Sequence, residues 1–142
     1  MLQTLLEERF SLRIHQRSSQ GTTYILTRGN RALGLDISRD TTQKPAFVLF
    51  MRGTTFDGEA RGANVSLSQV AEVLSSDLAV PVSDKTGLTG SYDFRVEPFA
   101  PENEDAIYAA KGAMHRLGLE LTKTSGPIST IAVDDVQRPS PN

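Results

Sequence analysis

The fold is decided by residues 66–94, whose sequence is SLSQVAEVLSSDLAVPVSDKTGLTGSYDF. The first part of this stretch spaces its apolar residues three and four apart, which predicts a helix with one buried face. Ser66 or Ser68 stands where a helix N-cap is expected. The apolar stripe consists of Leu67, Val70, Ala71, Val73, Leu74 and Leu78.

The second part of the stretch alternates apolar and polar residues, a period that is typical of half-buried strands. Two alternating segments flank residues 84–90, which contain Gly87 and Gly90 and are rich in turn formers. We therefore predict two antiparallel strands after the helix. The alternating positions are Leu78, Val80, Val82, Tyr92 and Phe94.

The same apolar spacing recurs from two other starting points, Phe10 and Leu117. An internal repeat of this kind determines the fold wherever it is present. Turn formers again separate the two predicted strands, at residues 18–21 and 125–127. The matching positions are Phe10, Leu12, Ile14, Tyr24 and Leu26 in one copy, and Leu117, Leu119, Leu121, Ile131 and Val133 in the other.

A helical stripe precedes each starting point, so the pattern predicts three helix–strand–strand units. Asn103 or Asp105 is the expected N-cap of the last helix. The predicted fold class is α+β, with three repeats whose helices pack on an antiparallel β-sheet, in one domain spanning residues 1–142. The units cover about 1–29, 58–97 and 103–136, and the tail 137–142 is expected to be exposed.

The segments between the units predict further structure. Residues 46–51 form an apolar run typical of a buried strand, and residues 58–65 predict another strand whose glycines either weaken it or cause a bulge. Residues 30–44 predict a long polar loop, with Leu33, Leu35 and Ile37 packing against the rest of the chain.

Composition excludes several functional classes. The 142 residues include no cysteine, so disulfides and thiolate metal sites are absent. The formal net charge is −2 and no basic stripe stands out, which argues against nucleic-acid binding. No apolar run approaches the ~20 residues of a transmembrane helix, and the N-terminus lacks the pattern of a signal peptide.

Two clusters are candidates for ligand binding. Asp84, Lys85 and Thr86 could hold an anion through Lys85 and the backbone amides, although the Gly-x4-Gly-Lys order of a P-loop is missing. The alternative is a loop in which Asp84 accepts local hydrogen bonds and Gly87 and Gly90 adopt positive φ. Asp93 and Arg95 could contact a ligand, or form a solvated or cross-strand charge pair.

The only histidines are His15 and His115. A metal site usually needs three or four ligands, and neither histidine has a helical partner, so no metal site and no cofactor are predicted. A small hydrolase that uses one of them is an alternative function, although the Gly-x-Ser-x-Gly elbow is absent.

Residues 66–75 and 81–94 resemble a soil-associated protein family that is abundant in acidobacterial genomes and is known as a domain of unknown function. DKTGLTGSYDF, residues 84–94, is the most specific part of the resemblance. Residues 1–15, 118–121 and 126–139 are also similar to the family, so the resemblance spans essentially the whole chain.

The resemblance implies an exported or membrane-attached protein of the periplasm or cell envelope. Relatives joined to an antirepressor-type transmembrane metallopeptidase hint at sensing, and the family brings no catalytic residues. Typical members have a signal peptide and a further strand–helix–strand portion before the block that begins this chain. The chain is therefore expected to lack that portion, and to be cytoplasmic if it is expressed as written.

The leading functional hypothesis is a noncatalytic envelope domain for binding or sensing, which recognises a protein, peptide or glycan. The hydrolase that uses His15 or His115 is one alternative. A self-assembling interaction module, such as a homodimer joined through a sheet edge or an apolar patch, is the other.

Overall fold

The computed structural model describes residues 4, 13–52, 55–99 and 105–135. The chain divides into two compact units. Residues 22–125 form the first, hereafter the core unit. Residues 1–21 and 126–142 form the second, hereafter the ribbon unit.

The described residues contain seven strands and two helices, arranged in two sheets. One sheet has the strand order β5-β1-β7 and the other β2-β6-β4-β3. The elements are β1 (Arg13–Arg28), β2 (Asp36–Ile37), β3 (Ala46–Arg52), β4 (Thr55–Val65), α1 (Leu67–Leu78), β5 (Val82–Asp84), β6 (Tyr92–Val96), α2 (Ala106–Arg116) and β7 (Leu119–Asp135).

The prediction of three helix–strand–strand repeats packed on one sheet is wrong, because the described structure is mostly β with two sheets and two helices. Residues 18–21 and 125–127 do not turn; they continue β1 and β7. The two strands of the middle unit, β5 and β6, belong to different sheets. None of the three predicted hairpins therefore forms.

Pairing between distant strands explains why the predicted turns are absent. In the ribbon unit the Thr130 hydroxyl donates to the Arg17 carbonyl oxygen at 3.3 Å, across 113 residues of sequence. A Cβ placed on Gly21 would lie 2.1 Å from the Ile128 side chain, so this glycine makes room for the opposite strand. Turn propensity is a local preference, and strand pairing outweighs it here.

Positions that the repeat treats as equivalent also differ in their surroundings. Tyr24 is 5% exposed, Tyr92 is half-buried and Ile131 is 68% exposed. Val80 lies between α1 and β5, whereas Leu119 begins β7. Leu12 and the tail 137–142 lie outside the described residues. Of the first predicted helix, the structure describes Thr4, which is helical.

The helix at the centre of the sequence pattern is confirmed as α1. Its buried residues are Leu67, Val70, Ala71, Leu74 and Leu78, all of them in the predicted stripe. Ser66 is the N-cap: its hydroxyl accepts a hydrogen bond from the Gln69 backbone N–H at 3.2 Å, and the Gln69 side chain accepts one from the Ser66 N–H at 2.9 Å. This reciprocal arrangement is a capping box.

Removing the cap is expected to destabilise the core unit. Ser66→Ala should lower the free energy of unfolding by about 1 kcal/mol, because the Gln69 N–H at the start of α1 loses the hydroxyl that accepts its hydrogen bond. Ser68→Ala is the matched control, since the Ser68 hydroxyl contacts the Asp84 carboxylate at an exposed position instead. Urea unfolding followed by circular dichroism measures both; equal losses would contradict the assignment of Ser66 as the cap.

The other local predictions are largely confirmed. Asp105 caps α2, and the strands predicted at 46–51 and 58–65 form as β3 and β4, which pair in antiparallel fashion; β3 is buried on one face only, since Val48 is 45% exposed. Gly58 has φ +82° and lies opposite the register shift between Leu49 and Met51, where the expected bulge occurs. Leu33 and Leu35 pack against the core, but Ile37 is 78% exposed, contrary to prediction.

One hydrophobic cluster in the core unit draws residues from both sheets and both helices. α1 packs against β5 and β3, α2 packs against β4, and the two helices contact each other. Phe47 and Phe94 meet in this cluster with their ring centroids 5.9 Å apart. Neither helix of the described ranges is long and apolar enough to cross a bilayer.

Candidate functional site

An open groove of about 700 Å³ lies between α2 and the beginning of β7, within the core unit. We call it the α2–β7 groove. Its described lining residues are Phe99, Tyr108, Lys111, Gly112, His115, Arg116, Leu119, Glu120, Leu121, Thr122 and Lys123.

A tight turn places the two walls of the groove beside each other. The Leu117 N–H donates to the carbonyl oxygens of Ala113 and Met114, which ends α2, and Gly118 then adopts φ +80°. Positive φ suits glycine and lets the chain reverse at once into β7. Leu119 and Leu121 are buried and anchor the first residues of β7 in the core.

The groove is electropositive although the whole chain carries a formal charge of −2. Lys111, Arg116 and Lys123 contribute three cations and Glu120 one acid, a net charge of +2 with His115 counted as neutral. His115 Nδ1 lies 3.7 Å from Glu120 Oε1, and both side chains are about half exposed. Cations lining a concave surface attract anions and raise their local concentration.

Aromatic rings hold two of these cations in place. The Arg116 guanidinium carbon lies 3.9 Å from the centroid of the Phe99 ring, a stacked geometry. Lys111 Nζ lies 5.6 Å from the centroid of the buried Tyr24 ring. Phe99 is itself held, because its N–H donates to the Asp57 carbonyl oxygen at 2.9 Å and its ring approaches Gly112 more closely than a side chain there would permit.

This arrangement can bind carboxylates. A stacked guanidinium keeps its N–H edge directed outward, where it can donate two parallel hydrogen bonds to a carboxylate. The His115–Glu120 contact could orient an imidazole for acid–base chemistry, but about half of each side chain is open to solvent. Within the described ranges, no three histidine or acidic side chains converge to hold a metal ion.

The Asp84–Lys85–Thr86 segment has the local structure of the loop interpretation. Asp84 Oδ1 accepts hydrogen bonds from the Thr86 N–H at 2.9 Å and from the Thr86 hydroxyl at 2.7 Å. Gly87 and Gly90 have φ +70° and +107°. The Lys85 N–H donates to the Leu26 carbonyl oxygen, and the Lys85 side chain is exposed. Binding of an anion at Lys85 stays a prediction.

Asp93 and Arg95 lie two residues apart on β6 and have different partners. Asp93 Oδ1 accepts a hydrogen bond from the Asn64 N–H at 2.8 Å, 29 residues away in sequence. Arg95 Nε contacts Glu97 Oε1 at 2.7 Å, and both side chains are exposed. Asp93 also borders a second depression of about 670 Å³, together with Asp36 and Arg39. A ligand role for either residue stays a prediction.

Asn64 is a buried link that sequence reasoning missed. Its side-chain amide donates to the carbonyl oxygens of Thr41 and Gln43, in the loop between β2 and β3, and its backbone N–H donates to Asp93 Oδ1 on β6. Asn64 therefore links that loop to β6. The available sequence signal is the asparagine itself, because asparagine tolerates the left-handed region better than most residues, and Asn64 has φ +47°.

Two carboxyl groups outside the groove have shifted pKa values. Hydrogen bonds from the Thr42 hydroxyl and N–H lower the pKa of Asp40, in an Asp-x-Thr turn like that of Asp84 and Thr86. Partial burial raises the pKa of Asp77. The stability that the Asp40 contacts provide is present above the ordinary aspartate pKa and is lost as the pH falls through the lowered one.

Of the described lining residues of the α2–β7 groove, sequence reasoning named one as a functional candidate, His115, for the hydrolase alternative. His15 is exposed on the part of β1 in the ribbon unit. Asp84, Lys85, Thr86, Asp93 and Arg95 are not among the lining residues. A helical signal was available, because Lys111 and His115 lie four residues apart, beside the buried stripe of α2.

One family model matches the chain, over residues 1–136, and its description is "protein of unknown function (DUF3738)". No curated protein matches the chain significantly, and no solved structure does so.

Proposed function

The chain belongs to the DUF3738 family of proteins of unknown function, and from this premise we propose that it is a noncatalytic binding or sensing domain that recognises carboxylate groups. The α2–β7 groove is the binding site. The partner is a protein, peptide or glycan that presents several acids. The observation that carries the proposal is the net positive, partly aromatic groove on a chain that is negative overall.

The cations of the groove support binding because they are accessible. Lys111, Arg116 and Lys123 are all exposed, and the ring contacts of Lys111 and Arg116 leave their N–H groups available to a ligand. A groove of about 700 Å³ falls within the roughly 300–1,000 Å³ range of ligand sites in proteins. Its open form suits a chain-like ligand better than a small molecule that must be enclosed.

The proposed location is the periplasm or cell envelope. It rests on the resemblance to the soil-associated acidobacterial family, whose members are implied to be exported or membrane-attached. A binding domain in that compartment would meet acidic peptides and acidic glycans directly.

Titration with acidic probes tests the binding site. The probes are a decapeptide of alternating glutamate and threonine, a hexamer of galacturonic acid, and a decapeptide of alternating glutamine and threonine as the uncharged control. We expect an acidic probe to shift the amide NMR signals of residues 108–123, and Lys111→Gln/Arg116→Gln to weaken its binding by about tenfold or more. The uncharged peptide should leave these signals unchanged.

Lys85→Gln/Arg95→Gln is the matched control, because it removes the same charge at the sites that the sequence predicted. It should leave the affinity within about twofold, apart from a small long-range charge effect. If only this variant loses affinity, the ligand site is the one predicted from sequence. If neither acidic probe shifts the groove signals, the proposal is wrong.

The hydrolase alternative draws on one observation, the contact between His115 and Glu120 inside the groove. Mass spectrometry of the incubated probes tests it. Cleavage of a probe that disappears in His115→Ala would support the hydrolase and contradict the noncatalytic binding domain. Self-assembly is the other alternative, and light scattering would support it if the mass rose with protein concentration without any probe.

A further inference from the structure

We infer that the ligand of the α2–β7 groove is an acidic peptide in extended conformation, which adds a strand to the free edge of β7. This inference rests on the proposed function, and it selects a peptide over a glycan. Three features of the core unit carry it: the position of β7 in its sheet, the spacing of Lys111 and His115 on α2, and the order of charges along β7.

β7 ends its sheet within the part of the chain that the structure describes. The strand order is β5-β1-β7, so β1 occupies one side of β7, and no residue of β1 is among the described lining residues of the α2–β7 groove. Residues 119–123 of β7 line this groove. An edge strand presents backbone N–H and C=O groups that an extended peptide can pair with, and this mode of recognition is common in peptide-binding domains.

The helix that forms the opposite wall presents a cation and a neutral imidazole, both able to donate a hydrogen bond to a carboxylate, at a matching interval. Lys111 and His115 are four residues apart, which is a rise of about 6 Å along a helix. Side chains on one face of an extended peptide recur every two residues, about 6.7 Å apart. Acidic residues at alternate peptide positions can therefore meet Lys111 and His115 in succession. Glycan carboxylates lack the backbone N–H groups that would pair with β7.

The charges along β7 add a preference about sequence. Lys123 favours an acid at the peptide position opposite it, while Glu120 disfavours one, since like charges directly opposite each other on paired strands are destabilising. Arg116, stacked on Phe99, also lines the groove and can donate hydrogen bonds to a peptide carboxylate from the side of the helix. The groove thus favours acids that face α2 over acids that lie along the edge of β7.

N-methylated peptides separate strand addition from charge attraction. The glutamate–threonine decapeptide is compared with two derivatives of equal charge, one N-methylated on every glutamate and the other on every threonine. In an added strand only alternate N–H groups face β7. We therefore expect one derivative to lose about tenfold or more in affinity and the other to stay within about threefold. The amide protons of residues 119–123 should exchange more slowly in the complex with the parent peptide.

Each outcome decides one of the two proposals. If both derivatives bind as tightly as the parent, or if the galacturonate hexamer slows exchange at residues 119–123 as much as the peptide does, strand addition is wrong and recognition of carboxylates stands. If both derivatives lose affinity equally, pairing through alternate N–H groups is also excluded. If no acidic probe binds, the proposed function fails together with the inference.

Discussion

Gly118→Ala is expected to lower the free energy of unfolding by about 3 kcal/mol or more. Gly118 has φ +80°, a conformation that costs an alanine about 1 to 2 kcal/mol. The new Cβ would also lie 2.5 Å from the Ala32 carbonyl oxygen, and such overpacking typically costs about 1 to 3 kcal/mol more. The obstructing atoms belong to the backbone, so no side chain can turn aside to relieve the contact.

Gly87→Ala is the matched control for this prediction. Gly87 has a similar φ of +70°, but a Cβ placed there meets nothing within 4 Å. Its substitution should therefore cost only the conformational part, about 1 to 2 kcal/mol. Urea unfolding of both variants, followed by far-UV circular dichroism and extrapolated to water, gives the comparison. Equal losses at the two glycines would show that residues 32–33 do not pack against the turn between α2 and β7.

The loop packed on this turn also bears on the groove. The Gly29 N–H donates to the Gly118 carbonyl oxygen and the Gly34 N–H to that of Leu117, each at 2.9 Å. Displacing the loop should therefore disturb both walls of the α2–β7 groove. We expect any Gly118→Ala protein that remains folded to bind the acidic peptide more weakly than the Gly87→Ala protein does.

Tyr24→Ala should be the second large effect, with a loss of about 3 to 5 kcal/mol. Tyr24 is 5% exposed and belongs to the hydrophobic cluster of the core unit. It is paired with Val82 where β1 meets β5 in parallel. Removing the ring leaves a cavity that the surrounding β-strands cannot easily close, and it removes the surface over which Lys111 lies. The same urea titration measures the loss.

Ile131→Ala provides the decisive contrast, because Ile131 and Tyr24 occupy equivalent positions in the predicted sequence repeat. Ile131 is 68% exposed, so its truncation should cost less than about 1 kcal/mol. Ile37→Ala is a second exposed control, inside the core unit, with the same expectation. Comparable losses at Tyr24 and Ile131 would restore the equivalence that the repeat implied and contradict the structure.

The candidate site shows how far sequence reasoning reached. The turn of Asp84–Thr86 and the positive φ of Gly87 were predictable, because a side chain that bonds to the backbone two residues away is a local event. The α2–β7 groove was not predicted. Its cations come from a helix face and from the following strand, and nothing in either segment alone shows that they share one cavity.

The family was recognisable from sequence. The resemblance pointed to a domain of unknown function, and the family model covers residues 1–136. Family membership brings no site residues here, so the choice between the groove and the residues predicted from sequence depends on the titrations proposed above.

The sequence by itself determined the elements whose hydrogen bonds close within a few residues. α1 with its Ser66–Gln69 box, the Asp105 cap of α2 and the Asp84 turn belong to this class, as the donors and acceptors involved are four residues apart or fewer. The apolar run of residues 46–51 likewise identified a strand, because a short run of this length and composition is a local signal.

Only the tertiary structure decided what each strand pairs with. Residues 18–21 and 125–127 have the composition of turns, yet they lie within the extended strands β1 and β7. These two strands are neighbours in one sheet and are linked, for example, by the hydrogen bond from the Thr130 hydroxyl to the Arg17 carbonyl oxygen. A strand exposes the same donors and acceptors to every candidate partner. Its pairing is therefore set by burial and register summed over the whole chain, which no local pattern contains.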